Sequence, residues 1–192
     1  MGDSITYLVY TNTFVVADNL MYPTLVGASI GGKCIGKNFG VSGNTTAQML
    51  ARLSAITPHV GLFLSPLPVV ATIYGGINDS DTTGATTAAN LNSMITAIRA
   101  AGCSKIVICN IHQMSSSLGQ VDSGFSGRRS AIIGTASAAN LPLADFHANA
   151  GLTDPTDYQS DGLHLKASGL AKLATVLEAT LTAAGWASVL HG

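Results

Sequence analysis

The sequence predicts an α/β fold, a parallel sheet with helices on both faces, built as one domain over residues 1–192. Three observations carry that expectation. Turn signals alternate along the chain with short apolar runs and helix-period patterns, which is the rhythm of βαβ units. The β-branched run at 69–74 ends in Gly75-Gly76, as a strand buried on both faces does. Over 87–101, Leu91, Ile95 and Ile98 fall at i, i+4 and i+7, one apolar stripe for packing on a sheet. No internal repeat and no linker composition interrupts the pattern.

The elements follow in order. Residues 19–30 read as a helix with Leu20, Leu25 and Ala28 on one face, stopped by Gly31-Gly32. Residues 34–39 read as a strand. Residues 45–53 read as a helix with Met49, Leu50 and Leu53 inward, ending before Pro58. After the strand at 69–74, the helix at 87–101 is capped by Gly102. Residues 105–111 form the next strand, 128–139 a helix of small residues, and 141–146 the last strand. The final helix, 167–184, carries Leu170, Leu173, Leu177 and Leu181 on one side.

Composition bounds the function. The chain of 192 residues is 47% apolar and only 10% charged, so Ser, Thr, Asn, Gly and Ala must cover much of its surface. A net charge of -1 gives no basic footprint for nucleic acid. No apolar run is long enough to span a bilayer, and the first residues lack the basic and apolar regions of a signal peptide. Cys34, Cys103 and Cys109 lie in apolar surroundings and read as buried thiols.

Chemistry concentrates at the two ends. Ser4 follows Gly2-Asp3, and Asp161 stands three residues before His164. A neutral hydroxyl is a poor nucleophile and needs a base within hydrogen-bond reach. An imidazole, with an ordinary pKa of about 6.5, suits proton removal and return. Asp161 would hold the imidazole tautomer and stabilise the imidazolium. Between these ends lie Asn38-Phe39-Gly40 and Gly75-Gly76-Ile77-Asn78-Asp79.

Four such motifs in this order and on this spacing resemble the SGNH hydrolases, the GDSL esterase/lipase family. The resemblance runs from Gly2 through His164 and into the helix beyond. It implies a three-layer α/β/α sandwich of the flavodoxin-like kind. It also implies a triad of Ser4, Asp161 and His164, with an oxyanion hole formed by the Ser4 N–H, the Gly40 N–H and the Asn78 side-chain amide. Taken alone, Gly40 would read as an ordinary turn glycine. Asp3 and Asp79 read as acceptors that brace loops. In the family's pattern the first strand is central and directly precedes the nucleophile. Only Met1 to Asp3 precede Ser4, so something must fill that slot. The expected filler is native sequence upstream of Met1, ahead of a second subunit or a rearrangement using residues 5–10 or 13–16.

Other patterns are weaker. Gly27 to Lys33 has the spacing of a phosphate loop, but Cys34 replaces the Ser or Thr and a helix precedes it where a strand is needed. Cys109 and His112 would face opposite sides of a strand, which argues against a shared metal; His112 could instead line a substrate pocket at the strand end. Asn44-Thr45-Thr46 is a sequon by pattern alone. The expected activity is hydrolysis of short-acyl oxygen esters, O-acetyl groups on carbohydrate among them, through an acyl-enzyme on Ser4, with no metal and no cofactor. The expected partner is a small ester or glycan. Rim segments at 57–67 and 113–127 are short, which favours small acyl groups. The low-charge composition suits a secreted or particle-borne protein. The competing class is a non-catalytic carbohydrate-binding or structural module on the same fold.

Overall fold

The computed structural model describes residues 1–3, 5–6, 9–10, 14–15, 22–29, 38–63 and 70–186. It is an α/β fold around a parallel sheet. β3 (Val70–Tyr74), β4 (Lys105–Cys109) and β5 (Leu143–Ala144) lie in the order β3-β4-β5, all parallel. The register sets Val70 opposite Lys105, Tyr74 opposite Cys109, and Cys109 opposite Ala144. Two short strands, β1 (Val9–Tyr10) and β2 (Phe14–Val15), pair antiparallel with each other.

The helices are α1 (Tyr22–Ser29), α2 (Thr46–Ala51), α3 (Leu53–Phe63), α4 (Ala85–Ala100), α5 (Ser126–Ala138), α6 (Phe146–Asn149) and α7 (Ala167–Ala183). One group, α1 and α6 with α7, packs together; α2, α3 and α5 gather around α4 as the other. The sheet lies between them, through β4 against α5 and β5 against α7. The predicted stripes are the core: Leu91, Ile95 and Ile98 of α4 are buried, with Met94 beside them. On α7, Leu170, Leu173, Leu177 and Leu181 are buried as expected. Each such side chain contributes about 1.5–3 kcal/mol by leaving water. Cys103 and Cys109 are buried, as expected, and Cys34 lies outside the described residues.

Several boundaries differ from the sequence reading. β4 ends at Cys109 rather than at 111 because Asn110 turns to side-chain bonding. Its Oδ1 accepts the Ile111 N–H at 3.0 Å and its Nδ2 donates to Asp145 Oδ1 at 3.0 Å. β5 is correspondingly short, since Asp145 caps α6 by accepting from the Ala148 N–H. The expected helix at 45–53 is α2, opened by a Thr45–Gln48 capping box. It breaks at Arg52, and α3 then runs on through Pro58, where the chain was expected to have left the helix. Pro58 and Ser54, whose carbonyl loses its helical donor, are both exposed. The expected strand at 34–39 falls largely outside the described residues; Asn38 and Phe39 are not in a strand, and Gly40 makes a single parallel bridge to Gly2.

The slot ahead of Ser4 is lined by the chain's own first residues. The Met1 amine donates to Thr72 O at 2.7 Å and the Tyr74 N–H to Met1 O at 3.1 Å. On the other edge the Val41 N–H donates to Gly2 O at 3.0 Å. Met1 and Gly2 therefore extend the sheet between β3 and Gly40. The described residues 9–10 and 14–15 pair with each other, not with β3.

Candidate active site

The site lies beyond the carboxyl ends of the strands, where an open α/β sheet presents its loops. Asn78 follows β3, His112 follows β4, and the 161–164 loop precedes α7. The structure brings Asp161 and His164 into direct contact. Asp161 Oδ2 meets His164 Nδ1 at 2.5 Å, while Oδ1 accepts the N–H groups of Leu163 at 3.0 Å and His164 at 2.9 Å. Burial works to raise the Asp161 carboxyl, but the His164 ring and those two N–H groups outweigh it and hold it below the usual carboxylate range. A carboxylate only accepts, so Nδ1 of a neutral His164 carries the proton and Nε2 has the basic lone pair.

Every carbonyl of this loop is held. Asp161 O accepts from Gln120 Nε2 at 2.7 Å, Gly162 O from the Ser115 N–H at 2.9 Å, Leu163 O from His112 Nε2 at 2.9 Å, and His164 O from the Gln159 N–H at 2.8 Å. Gly162 is required here: its φ of +70° is left-handed, and a Cβ would come within 3.0 Å of Leu118 and Gln120. The segment after β4 is thus packed directly on the loop that carries the Asp–His pair.

The turn just beyond β3 carries Asn78. Its Nδ2 donates to Asn44 O at 3.1 Å, which uses one N–H of the amide and fixes the direction of the other. Asp79 is buried and braces this turn as the sequence suggested. It accepts from the Thr46 N–H at 2.7 Å, Thr46 Oγ1 at 2.6 Å and Thr87 Oγ1 at 2.6 Å. Arg128 donates to the carbonyls of Gly76 at 3.0 Å, Ile77 at 3.0 Å and Asp79 at 2.5 Å, and through Nη2 to Gly124 at 3.1 Å. The Gly40 N–H is not open: it donates to Asn38 Oδ1 at 2.8 Å. Three residues on, exposed Gly43 has φ +74° and, among the described residues, no partner for its N–H.

Ser4 lies outside the described residues. Its neighbours are tied down: Asp3 Oδ1 accepts the Ile5 N–H at 3.0 Å and Asp3 O the Thr6 N–H at 3.1 Å. Burial raises the fully buried Asp3 carboxyl to about 7, the Ile5 N–H opposes this, and the charge of Asp79 adds to it. Arg52 joins this turn to the 38–44 segment, donating to Gly2 O at 2.9 Å, Phe39 O at 2.7 Å and Asn44 Oδ1 at 2.7 Å.

Sequence reasoning missed Arg52, Arg128 and Arg129. Arg129 donates to Ile111 O at 3.1 Å and His112 O at 2.6 Å, and pairs with Asp122 at 2.6 Å. A usable signal existed: two adjacent arginines opening a helix in a chain with nine Lys and Arg in all. His112 does stand beyond a strand's carboxyl end, but it is fully buried and bonded at both nitrogens rather than lining a pocket.

Comparison with known proteins agrees with this architecture. The family model described as the GDSL-like Lipase/Acylhydrolase family matches residues 1–172. No curated protein matches the chain. Among solved structures, a lipase/acylhydrolase from Enterococcus faecalis is 25% identical with a TM-score of 0.71, over 95% of this chain and 93% of that one. A carbohydrate acetylesterase family member from Sinorhizobium meliloti shares the fold at 17% identity and TM-score 0.70, over 95% of each chain. A carbohydrate esterase family 3 structure from Talaromyces cellulolyticus does so at 20% identity and TM-score 0.70, over 96% of this chain and 95% of that one. With its parallel sheet and residues 1–172 matched, the chain belongs to the GDSL-like lipase/acylhydrolase family, the SGNH hydrolases.

Proposed function

We propose that the chain is a serine esterase that removes short acyl groups from oxygen esters, O-acetyl groups on carbohydrate among them. The contact between Asp161 and His164, on a loop held at every carbonyl, carries this reading. His164 Nε2 takes the Ser4 hydroxyl proton as Ser4 Oγ bonds to the ester carbonyl carbon. The tetrahedral oxyanion is met by the Ser4 N–H, the second N–H of Asn78 and a main-chain donor of the 40–43 turn. Gly40 would have to release Asn38 to serve there, whereas the Gly43 N–H is unengaged among the described residues. Collapse expels the alcohol, which receives the proton from His164. Water then attacks the acyl-enzyme by the same route and frees Ser4.

The rim supports small, polar substrates. Ser116 and Ser117 are exposed, and the Asp154 carboxylate accepts from the hydroxyls of Ser115, Ser116 and Ser117, so a polar edge stands beside the 161–164 loop. The carbohydrate-esterase names of two structural neighbours agree with such an edge. The test is hydrolysis of p-nitrophenyl acetate, butyrate and octanoate, then of acetylated sugars, by wild type and Ser4→Ala. Wild type should prefer acetate, and Ser4→Ala should be inactive. Equal rates in both proteins would overturn the reading in favour of a non-catalytic module, and a preference for octanoate would overturn the short-acyl assignment.

A further inference from the structure

His112 has no place in the triad or the oxyanion hole, yet it is the most constrained histidine among the described residues. It is fully buried, and both ring nitrogens are engaged. Nε2 lies 2.9 Å from Leu163 O, a group that only accepts, so Nε2 is the donor. In the neutral ring Nδ1 must then accept, and the Tyr74 hydroxyl at 2.8 Å donates to it. The proton order is fixed along the whole line, from Tyr74 at the end of β3, through the imidazole, to the carbonyl immediately before His164.

We propose that His112 is a positioning residue for the His164 base, an imidazole strut that sets the 161–164 loop against the end of the sheet. The proposal rests on the esterase reading of His164. Burial lowers the His112 pKa to about 4, the Leu163 carbonyl opposes that, and the charges of Arg129 and His164 add to it while that of Asp122 opposes it. The ring is therefore neutral in the range where a histidine base works, which is the form the two bonds require. The ring of Tyr158 flanks it at 6.5 Å and that of Tyr74 at 6.3 Å, and the imidazole is fully enclosed. The other ties on the loop come from a Gln side chain and from main-chain N–H groups. Through Tyr74, which belongs to β3, His112 connects the loop to a second strand.

The test compares His112→Leu, His112→Gln and Tyr74→Phe in the full chain. Gln keeps a donor toward Leu163 and an acceptor toward Tyr74; Leu keeps neither. On p-nitrophenyl acetate, His112→Leu should lose about 10–100-fold in kcat with KM changed less than threefold, the mark of a group acting on the transition state rather than on binding. His112→Gln should recover most of that loss, and Tyr74→Phe should lose less than His112→Leu. Wild-type kcat in His112→Leu would overturn the proposal, as would a loss in KM alone, or an equal kcat loss in the Gln and Leu variants. A readout independent of catalysis is the ¹⁵N spectrum of histidine-labelled protein. His112 should stay protonated at Nε2 and bare at Nδ1 from pH 5 to 8; titration in that range, or the opposite tautomer, overturns the strut. If wild type hydrolyses no ester, the esterase reading fails, while the spectrum still decides whether the strut exists.

Discussion

Around Asn78 the direct braces are buried charged side chains, while the carbonyls of the 161–164 loop are met directly by main-chain groups, an amide and one neutral imidazole. Asp79 gathers Thr46 and Thr87, and Arg128 gathers the carbonyls of the 76–79 turn. The 161–164 loop is tied instead by Ser115, Gln159, Gln120 and His112. Behind His112, among the described residues, Arg129 pairs with Asp122, which His147 Nε2 also approaches at 3.4 Å. The difference follows from the work proposed for each region. An oxyanion donor has one charge state and gains from any rigid or positive surrounding. A base must pass between neutral and cationic forms, and an unpaired buried ion beside it would favour one of them. Neutral ties fix its direction and leave the choice of state to Asp161.

Single substitutions can break this contrast, and their expected effects run from large to small. His164→Ala should remove kcat by about 10⁴-fold or more, because it deletes the base itself; stopped assays at high enzyme concentration would measure it, and a loss below tenfold would remove His164 from the mechanism. Asn78→Ala should lower kcat by about 10²–10³ with little change in stability, since one preorganised donor is lost where charge develops. A change confined to KM would make Asn78 a binding group only.

Arg128→Met acts on the brace rather than the donor. It strips partners from the carbonyls of Gly76, Ile77, Asp79 and Gly124. Urea unfolding should show a loss of about 2–4 kcal/mol, with kcat falling more than KM rises. Unchanged stability would mean that water replaces the guanidinium without cost.

The smallest expected effect concerns pH. Asp3 has its folded pKa raised to about 7, so its contribution to stability is complete below the ordinary carboxylate range and is lost as pH rises through 7. His112 has the opposite sign: lowered to about 4, its contribution is present above the ordinary imidazole value and is lost as pH falls toward 4. Asp3→Asn keeps an acceptor for the Ile5 N–H and removes only the first slope. Relative to wild type it should therefore gain about 2–3 kcal/mol between pH 5 and pH 8, from two units of pH at about 1.4 kcal/mol each. Equal pH dependence in the two proteins would show that Asp3 ionises normally in the fold.

What the sequence determined by itself is whatever local periodicity and short spacing encode. The β-branched run at 69–74, the stripe of Leu91, Ile95 and Ile98, and the leucines of α7 each specify an element and its buried face, because burial repeats with the period of the backbone. The Asp161–His164 contact was legible for the same reason: three residues and a glycine turn are enough to bring both side chains together. The tertiary structure decided what depends on distant partners. The helix breaks at Arg52 because that side chain is drawn 50 residues back along the chain to Gly2 O. The β4 ladder stops after Asn110, whose side chain takes the Ile111 N–H and reaches Asp145 on the neighbouring segment. His112 read as a pocket residue from its neighbours in sequence, and became an internal tie because Tyr74 and Leu163, 38 residues before it and 51 after it, close on its two nitrogens. A hydrogen-bonding side chain has no period, so its partner is chosen only when the sheet and its loops have been assembled.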